Sequence, residues 1–187
     1  LPYTPLHHLL VAAISPLVMT SGNRTEEPIA IDATGLSDLL GGVADYALVH
    51  DREVLRRCDD SVLKVVRRRR LLLRRSRGWV PGSIRLPLGG PSVLACGAEW
   101  KNVFGLTRES FLFLSQHIGD LNEYANNEFY RAAITDMMHL LKIQPHIVAH
   151  DLHPDYASTR FALAYPAEIR VAVQHHHAHI AAGMAEH

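Results

Sequence analysis

The sequence predicts a mixed α/β protein in two parts, and three observations support this. Short apolar runs with the length of buried strands recur along the chain, separated by glycine- and proline-rich turns. Longer segments repeat their apolar residues at the spacing of a helix. The charge changes sign midway: residues 1–90 carry 13 basic and 9 acidic residues, and residues 91–187 carry 6 and 10.

The composition is typical of a water-soluble globular protein, with 48% hydrophobic and 20% charged residues. No apolar run approaches the roughly 20 residues needed to cross a bilayer, so no membrane association is expected. Cys58 and Cys96 form no CxxC pair, which favours a reducing cytoplasm and packed thiols. The chain starts with Leu-Pro, its first residues do not match the pattern of a signal peptide, and it stops at His187 within a helical pattern. We therefore expect a piece of a longer protein.

The first part is predicted to contain helices, strands and loops. Leu6–Ile14 predicts a helix, and Ser37–Leu40 predicts a second one that Gly41-Gly42 stops. A loop is predicted from Glu26. Three strands are predicted, at 17–20, 46–50 and 61–66, the last continuing through the arginines to 71–73. Proline and glycine concentrate between residues 81 and 91, which predicts a domain boundary there.

The second part is predicted to have the order β-β-β-α-β-α-β-α. The strands and helices are expected at 93–96, 102–107, 111–114, 126–142, 147–149, 156–164, 170–173 and from 175 onward. Residues 108–110 are the predicted turn between the second and third strands. In the long helix, Tyr130, Ile134 and Met137 follow the spacing of one buried face. This order is typical of the ribonuclease-H-like half of the actin, hexokinase and Hsp70 architecture.

Histidine is the unusual component, with 13 residues, several of them in the run from His175 to His179. In a helix, His175 and His179 lie one turn apart, so both imidazoles can bind one divalent metal. Histidine suits Zn²⁺, Fe²⁺ or Ni²⁺ and binds Mg²⁺ poorly. Two ligands do not complete a site, so a carboxylate from elsewhere is required. The alternative is an ordinary polar start of a helix. His176 and His177 are expected to face solvent or to support the metal ligands from behind.

A second candidate site follows the predicted strand at 17–20. Ser21 and Asn23, around Gly22, would lie at the carboxyl edge of a sheet, where α/β proteins bind ligands. Further hydroxyl and guanidinium donors follow downstream: Arg57, Ser61, Arg74 and Arg77. Because arginine binds phosphate with two parallel hydrogen bonds, this set suits a nucleotide phosphate or an acyl-adenylate. The alternative is a turn followed by a charged surface strand.

Two more features are candidates for phosphate binding. Lys101 and Asn102 lie in a predicted turn after the strand at 93–96, and polar segments at 115–120 and 150–155 are candidates for the same cleft. The stretch Lys64–Arg77 holds 8 basic residues in 14 positions. It suits a phosphate-bearing ligand or RNA, and a solvated, arginine-rich hairpin is the alternative.

Eight segments of the chain resemble, in the same order, those of one known family. They are LPYTPLHHLL, PLVMTSGNRTEEPIA, CDDSV, LRRSRG, GAEWKN, SQHIGDL, HDLHPDY and VQHHHAHIAA. The family is that of the HypF-type carbamoyltransferases, which start cyanide-ligand synthesis for NiFe hydrogenases. The resemblance implies the C-terminal part of a YrdC-like domain at 1–85, a linker at 86–91, and the N-terminal part of an actin-like carbamoyltransferase domain at 92–187.

The resemblance also implies a chemistry. In that family the YrdC-like domain joins carbamate from carbamoyl phosphate to AMP from ATP, with Mg²⁺. The actin-like domain passes the carbamoyl group to the C-terminal cysteine of a HypE-type partner. By resemblance, Ser21 and Asn23 lie at the adenylate site, with Ser61 and the arginines of RRSRG nearby. His175 and His179 match the metal pair, with Zn or Fe as the metal. No catalytic residue is assigned.

The resemblance has departures and gaps. Trp100 replaces the usual aliphatic residue, and the arginine run 67–70 leaves the local strand register open. The sequence contains no acylphosphatase domain, no CxxC pairs and no second actin-like lobe, so we expect it to be inactive alone. Alternatives are a threonylcarbamoyl-adenylate enzyme acting on tRNA, an RNA-binding module, or a histidine-rich metal-binding module without turnover. The order of the two domains argues against an antibiotic-type carbamoyltransferase.

Overall fold

The computed structural model describes residues 2, 4–23 and 27–186. Leu1, Tyr3, 24–26 and His187 lie outside the described residues. The structure therefore does not describe the predicted loop start at Glu26 or parts of the first two resembling segments.

Two short helices in the first part begin at side-chain caps. Helix α1 spans Pro5–Ala13, and the Thr4 hydroxyl accepts a hydrogen bond from the His7 N–H at 3.1 Å. Helix α2 spans Ala33–Leu40, with the Asp32 carboxylate accepting from the Gly35 N–H at 2.6 Å. Both predicted helices are confirmed. The second begins earlier than Ser37 because the cap lies at Asp32.

The arginine-rich stretch forms a hairpin. Strands β1 (Val62–Val66) and β2 (Arg69–Arg74) pair antiparallel, with Val66 opposite Arg69. Arg67 and Arg68 form the turn with φ values of 48° and 65°. The predicted unbroken strand through the arginines is therefore wrong, and the arginine-rich hairpin is confirmed. The pairing also fixes the register that the arginine run had left open.

Two predicted strands in the first part are wrong. Residues 17–20 and 46–50 have no strand structure. Their apolar side chains are open to solvent, with Val18 97% and Tyr46 95% exposed. A strand needs a neighbour to satisfy its backbone groups, and within the described ranges neither segment pairs with another strand.

The second part is built on a five-stranded sheet with the spatial order β3-β5-β4-β6-β7. The strands are β3 (Ser83–Gly90), β4 (Val93–Ala95), β5 (Gly105–Leu114), β6 (Ile147–Asp151) and β7 (Ile169–Val173). Strand β5 pairs antiparallel with β3 and β4, whereas β4, β6 and β7 are parallel. Three helices complete this part: α3 (Tyr124–Leu141), α4 (Ala157–Ala164) and α5 (His175–Glu186).

The predicted order of helices and strands is confirmed from the long helix onward, but the prediction of the three strands before it is wrong. The runs predicted at 102–107 and 111–114 fall in one strand, β5, and β3 was not predicted. The predicted linker 86–91 overlaps β3, which pairs with β5 from Ser83 opposite Phe113 to Gly90 opposite Glu109. The predicted turn at 108–110 is wrong, because β5 runs through it with Glu109 at a φ of 55°. The exact limits of the two domains stay a prediction.

The hydrophobic core belongs to the second part. Helix α3 buries Tyr130, Ile134 and Met137 against the sheet, as their spacing predicted. The Tyr130 hydroxyl donates to the Cys96 carbonyl at 2.9 Å, and its ring meets Phe104 edge-on at 5.9 Å. Burial raises the pKa of the Cys96 thiol to about 11, so it is a neutral core side chain, as expected.

Among the described residues, no helix combines the length and the apolar character needed to cross a membrane.

Candidate functional site

The two candidate metal ligands meet at the start of α5. Strand β7 ends at Val173 and α5 begins at His175, so the helix starts at the carboxyl end of the parallel strands. The Nε2 atoms of His175 and His179 lie 3.0 Å apart. The i, i+4 spacing therefore brings both rings to one face, while His176 and His177 are exposed, as expected.

A carboxylate holds the far side of the first ring. Asp151 is the last residue of β6, and its Oδ2 lies 2.6 Å from Nδ1 of His175. Its Oδ1 accepts the His153 N–H at 2.9 Å. Burial alone would raise the pKa of Asp151, but these hydrogen bonds outweigh it and hold the pKa below its ordinary value. Asp151 is therefore an anion whose Oδ2 accepts a hydrogen bond from Nδ1–H of His175.

The distance between the two Nε2 atoms fits metal binding. Two ring nitrogens this close need either a proton between them or a cation that both bind. Two nitrogens bound tetrahedrally to one Zn²⁺ lie roughly 3.3 Å apart. Within the described part of the chain, no group of three or more histidine, cysteine, aspartate or glutamate side chains is arranged to hold a metal. The pair therefore fits as two ligands of a site that needs more.

The histidine pair opens onto a cleft of about 700 Å³. The cleft brings together three segments that the sequence singled out separately: the turn at 97–102, the end of β6 at 150–151, and the first turn of α5. Leu73 of the arginine-rich hairpin lines its other side. The polar segment at 150–155 thus reaches this cleft, while 115–120 lies at a different cavity.

Lys101 and Asn102 occupy different environments in this cleft. Lys101 is exposed, has a φ of 50° and makes no hydrogen bond or ion pair with the described residues. Asn102 is buried, and its side-chain nitrogen donates to the carbonyls of Cys96 and Ala98. Both amide hydrogens of Asn102 therefore close the turn, and Lys101 is the donor that faces the open space.

Gly97 makes this tight turn possible. Its φ is +73°, and a Cβ there would lie 2.4 Å from the Val103 carbonyl oxygen. Any side chain at this position would push the turn open and displace Asn102, so the close approach requires glycine.

Sequence reasoning missed the role of Glu99. Its side chain is 4% exposed, and its Oε2 accepts the N–H of Ala157 at 2.7 Å. Ala157 is the first residue of α4, whose N-cap residue, Tyr156, provides no side-chain cap. Glu99 therefore caps a helix 58 positions away and ties the turn to the segment that follows β6. The uncapped start of α4 was the available clue.

Three of the candidate adenylate residues meet in a cavity at the junction of the two parts. Asn23, Arg57 and Arg74 line about 160 Å³ together with the segment 116–119. The Asn23 amide donates to the Glu27 carbonyl at 2.8 Å. Arg74 lies 3.8 Å from the carboxylate of Asp59.

Arg57 also joins the two parts of the chain. Its Nε donates to the Ile29 carbonyl at 2.7 Å, and its guanidinium lies 5.6 Å above the Phe129 ring of α3. The Arg57 carbonyl accepts from the Gln116 amide. This arginine therefore contributes structurally at the junction as well as lining the cavity.

The remaining candidates lie outside this cavity. Ser61 bridges two segments, donating to the Arg77 carbonyl at 2.9 Å and accepting from the Ser76 N–H at 2.8 Å. Arg77 donates to the Cys58 carbonyl at 3.0 Å. Ser21 is exposed and does not line the cavity. The predicted set is thus only partly brought together.

A third cavity, of about 280 Å³, lies between the other two. It shares Arg74 and His117 with the junction cavity. It shares Leu73, Lys101 and Val103 with the histidine cleft. Because these lining residues are shared, the junction cavity and the histidine cleft are connected through the third cavity.

Family comparison agrees with this arrangement of parts. A family model described as the HypF Kae1-like domain matches residues 89–186, more than half of the chain. The chain belongs to the HypF family. A second model, for the Sua5, YciO and YrdC proteins and described as telomere recombination, matches residues 1–76. The predicted resemblance and α/β fold class, a YrdC-like part followed by a Kae1-like part, are confirmed.

Curated HypF relatives match along the whole chain. Carbamoyltransferase HypF2 of Cupriavidus necator is 46% identical, over 100% of this chain and 26% of that protein. Carbamoyltransferase HypF of Synechocystis is 41% identical, over 100% of this chain and 24% of the relative. The chain therefore spans about a quarter of the length of these relatives.

Two solved HypF structures have the same fold. A full-length HypF crystallised in its phosphate- and nucleotide-bound form is 41% identical, with a TM-score of 0.93 over 100% of this chain and 30% of that one. The HypF of T. kodakarensis is 38% identical, with a TM-score of 0.89 over 99% of this chain and 25% of the other.

Proposed function

We propose that this chain is part of a carbamoyltransferase of NiFe-hydrogenase maturation. The observation that carries the proposal is the match along the whole chain to relatives named carbamoyltransferase, at 46% and 41% identity. The two parts also follow each other in the order that the two family models give. In this proposal the domain limits are 1–85 and 92–187, with 86–91 between them and β3 crossing that segment.

The first part contributes to an adenylate site. Asn23, Arg57 and Arg74 line the junction cavity, and Ser21, Ser61 and Arg77 lie on the segments around it. A cavity of about 160 Å³ suits a phosphate group better than a whole nucleotide, so this site would receive the phosphate of carbamoyl-adenylate made from carbamoyl phosphate and Mg-ATP. A solved full-length HypF was crystallised in a phosphate- and nucleotide-bound form, which supports nucleotide use by the relative as a whole.

The second part contributes two ligands to a metal site. His175 and His179 would bind a divalent ion, Zn or Fe, through Nε2, and further ligands would complete the site. A bound metal supplies Lewis-acid polarisation of the carbamoyl carbonyl. Lys101, which has no partner among the described residues, would hold the adenylate phosphate in the cleft, with Asn102 maintaining the turn that presents it.

The series of cavities supports a direct passage of the adenylate. Arg74 belongs to the junction cavity and Lys101 to the histidine cleft, and both line the cavity between them. Two cations along this route would favour a phosphate-bearing intermediate over release into water. The thiolate of the C-terminal cysteine of a HypE-type partner would then attack the carbamoyl carbon, forming a C–S bond as the bond to the phosphate oxygen breaks and AMP leaves. The cytoplasm, where thiols stay reduced, is the proposed location.

The proposal is tested by grafting this chain into the C. necator relative in place of its matching quarter. The chimera should retain carbamoyl-phosphate-dependent ATP–pyrophosphate exchange and carbamoyl transfer. His175→Ala and His179→Ala should abolish the transfer and spare the exchange, because the exchange belongs to the adenylate site. His177→Ala, an exposed neighbour, is the control. Full transfer by both variants would refute the metal assignment.

An RNA-directed activity is the second candidate, because the arginines of the hairpin turn are exposed and the first part matches the YrdC family. It predicts salt-dependent binding of tRNA. Replacing Arg67 and Arg68 with glutamine should weaken that binding, whereas it should leave carbamoyl transfer to a cysteine unchanged if the first proposal is correct. Binding of tRNA that survives this change would remove the support for the second candidate.

A further inference from the structure

The contact between Asp151 and His175 is fixed by the sheet and not by flexible loops. Asp151 ends β6 directly opposite Val173 of the parallel strand β7, two residues before His175. The Asp151 carbonyl accepts from the Thr159 hydroxyl at 3.2 Å, and the Leu152 N–H donates to the Val173 carbonyl at 3.2 Å. Strand pairing, together with the Thr159 hydroxyl, therefore sets the separation of the carboxylate and the imidazole.

Both carboxylate oxygens of Asp151 have defined partners. Oδ2 faces Nδ1 of His175 and Oδ1 accepts the His153 N–H, and the side chain is 9% exposed. A carboxylate can only accept, so the proton of the neutral His175 ring stays on Nδ1. The lone pair on Nε2 then points at His179, the direction that metal binding by the pair requires.

We propose that Asp151 is a positioning residue that selects the Nδ1–H tautomer of His175 and fixes the orientation of its ring. This inference rests on the proposed metal site at His175 and His179. Asp151 is not a third ligand, because its Oδ2 contacts Nδ1 of His175, whereas Nε2 is the nitrogen that faces His179. Carboxylates that orient ligand histidines in this way strengthen metal binding about 10- to 100-fold.

The first test is a titration of the full chain with Zn²⁺ alone. Asp151→Asn should weaken Zn²⁺ binding about 10- to 100-fold, because a neutral amide no longer favours one tautomer. Asp155→Asn is the matched control: Asp155 lies in the same loop, and its side chain is exposed. It should bind Zn²⁺ like the parent chain. Asp151→Glu, which retains the charge, should recover part of the affinity.

The second test measures the tautomer without metal. Nitrogen NMR of the imidazoles should find the His175 proton on Nδ1 in the parent chain and in Asp155→Asn, and shared between both nitrogens in Asp151→Asn. The His175→Ala spectrum identifies the signals. Thermal unfolding of each variant, also without metal, measures the structural effect separately.

The outcomes distinguish the two proposals. If His175→Ala and His179→Ala bind Zn²⁺ as the parent chain does, the metal assignment fails. If these variants lose binding but Asp151→Asn retains it, the metal assignment stands and the positioning role is wrong. A lowered melting temperature in Asp151→Asn with an unchanged tautomer would also overturn the positioning role, because Asp151 would then only support its loop.

Discussion

The two parts of the molecule contain apolar residues in similar patterns but use them differently. Every buried hydrophobic side chain among the described residues lies between Leu94 and Ala162, in the second part. In the first part, apolar side chains such as Val18, Tyr46 and Leu55 stay largely exposed, and Ser76 is its buried side chain. The comparison teaches that an apolar run becomes a strand only where a neighbouring strand and a covering layer complete it.

The largest expected effect is loss of a core side chain. Phe104 is fully buried against Tyr130, so Phe104→Ala should lower the free energy of unfolding by about 3–5 kcal/mol. Val18→Ala, in the first part, should change it by less than about 0.5 kcal/mol because Val18 is 97% exposed. Urea unfolding of both variants measures the contrast. Similar losses would mean that the two parts do not differ in packing.

A second prediction uses the raised pKa of Cys96. Its thiol ionises near pH 9.0 when accessible and near pH 11 when buried, so the folded state favours the neutral thiol. The resulting stability is fully present below pH 9.0 and is lost as pH rises through 11. The loss should be about 3 kcal/mol. When the free energy of unfolding is measured with urea, it should fall less steeply across this pH range in Cys96→Ala than in the parent chain.

The nearby Tyr130 affects this comparison because its pKa depends in part on Cys96. Burial raises the pKa of Tyr130, and the neighbouring Cys96 thiol raises it further. The difference between the two pH profiles therefore measures the Cys96 thiol together with its coupling to Tyr130. Identical profiles would contradict the burial of Cys96.

A third prediction concerns the cap that Glu99 provides across the second part. Glu99→Ala should lower the free energy of unfolding by about 1–2 kcal/mol, because α4 would lose the acceptor at its first N–H. Glu123→Ala is the control. Glu123 stands at the start of α3, is exposed and makes no side-chain cap bond, so its loss should be close to zero. Equal losses of stability in the two variants would show that Glu99 does not stabilise α4 as a cap.

The sequence predicted the second part well because its patterns are completed within it. The α3 face with Tyr130, Ile134 and Met137 and the shared face of His175 and His179 follow from helical periodicity alone. Strand β3 was missed because Pro87 and two glycines disguise it as a linker, whereas its pairing with β5 decides the structure.

The site could be predicted only in its local features. The pairing of Asp151 with His175 and of Glu99 with Ala157 joins residues 24 and 58 positions apart, and no local pattern encodes such contacts. In the first part, Ser21 and Asn23 were expected at the end of a strand that does not form, so their predicted neighbours are not all assembled.

The smallest expected effect is in the arginine-rich hairpin. It tests whether the two parts of the chain unfold together. Arg67 and Arg68 have φ values of 48° and 65°, which suit Asn-Gly better than two arginines. Replacing them by Arg67→Asn and Arg68→Gly should stabilise the hairpin by about 1 kcal/mol. Hydrogen exchange of the β1 and β2 amides should then slow about fivefold, while that of β4 and β6 stays unchanged. If exchange in β4 and β6 slows equally, the two parts unfold as one unit, because a gain confined to a hairpin outside the core can reach the central sheet only through cooperative unfolding.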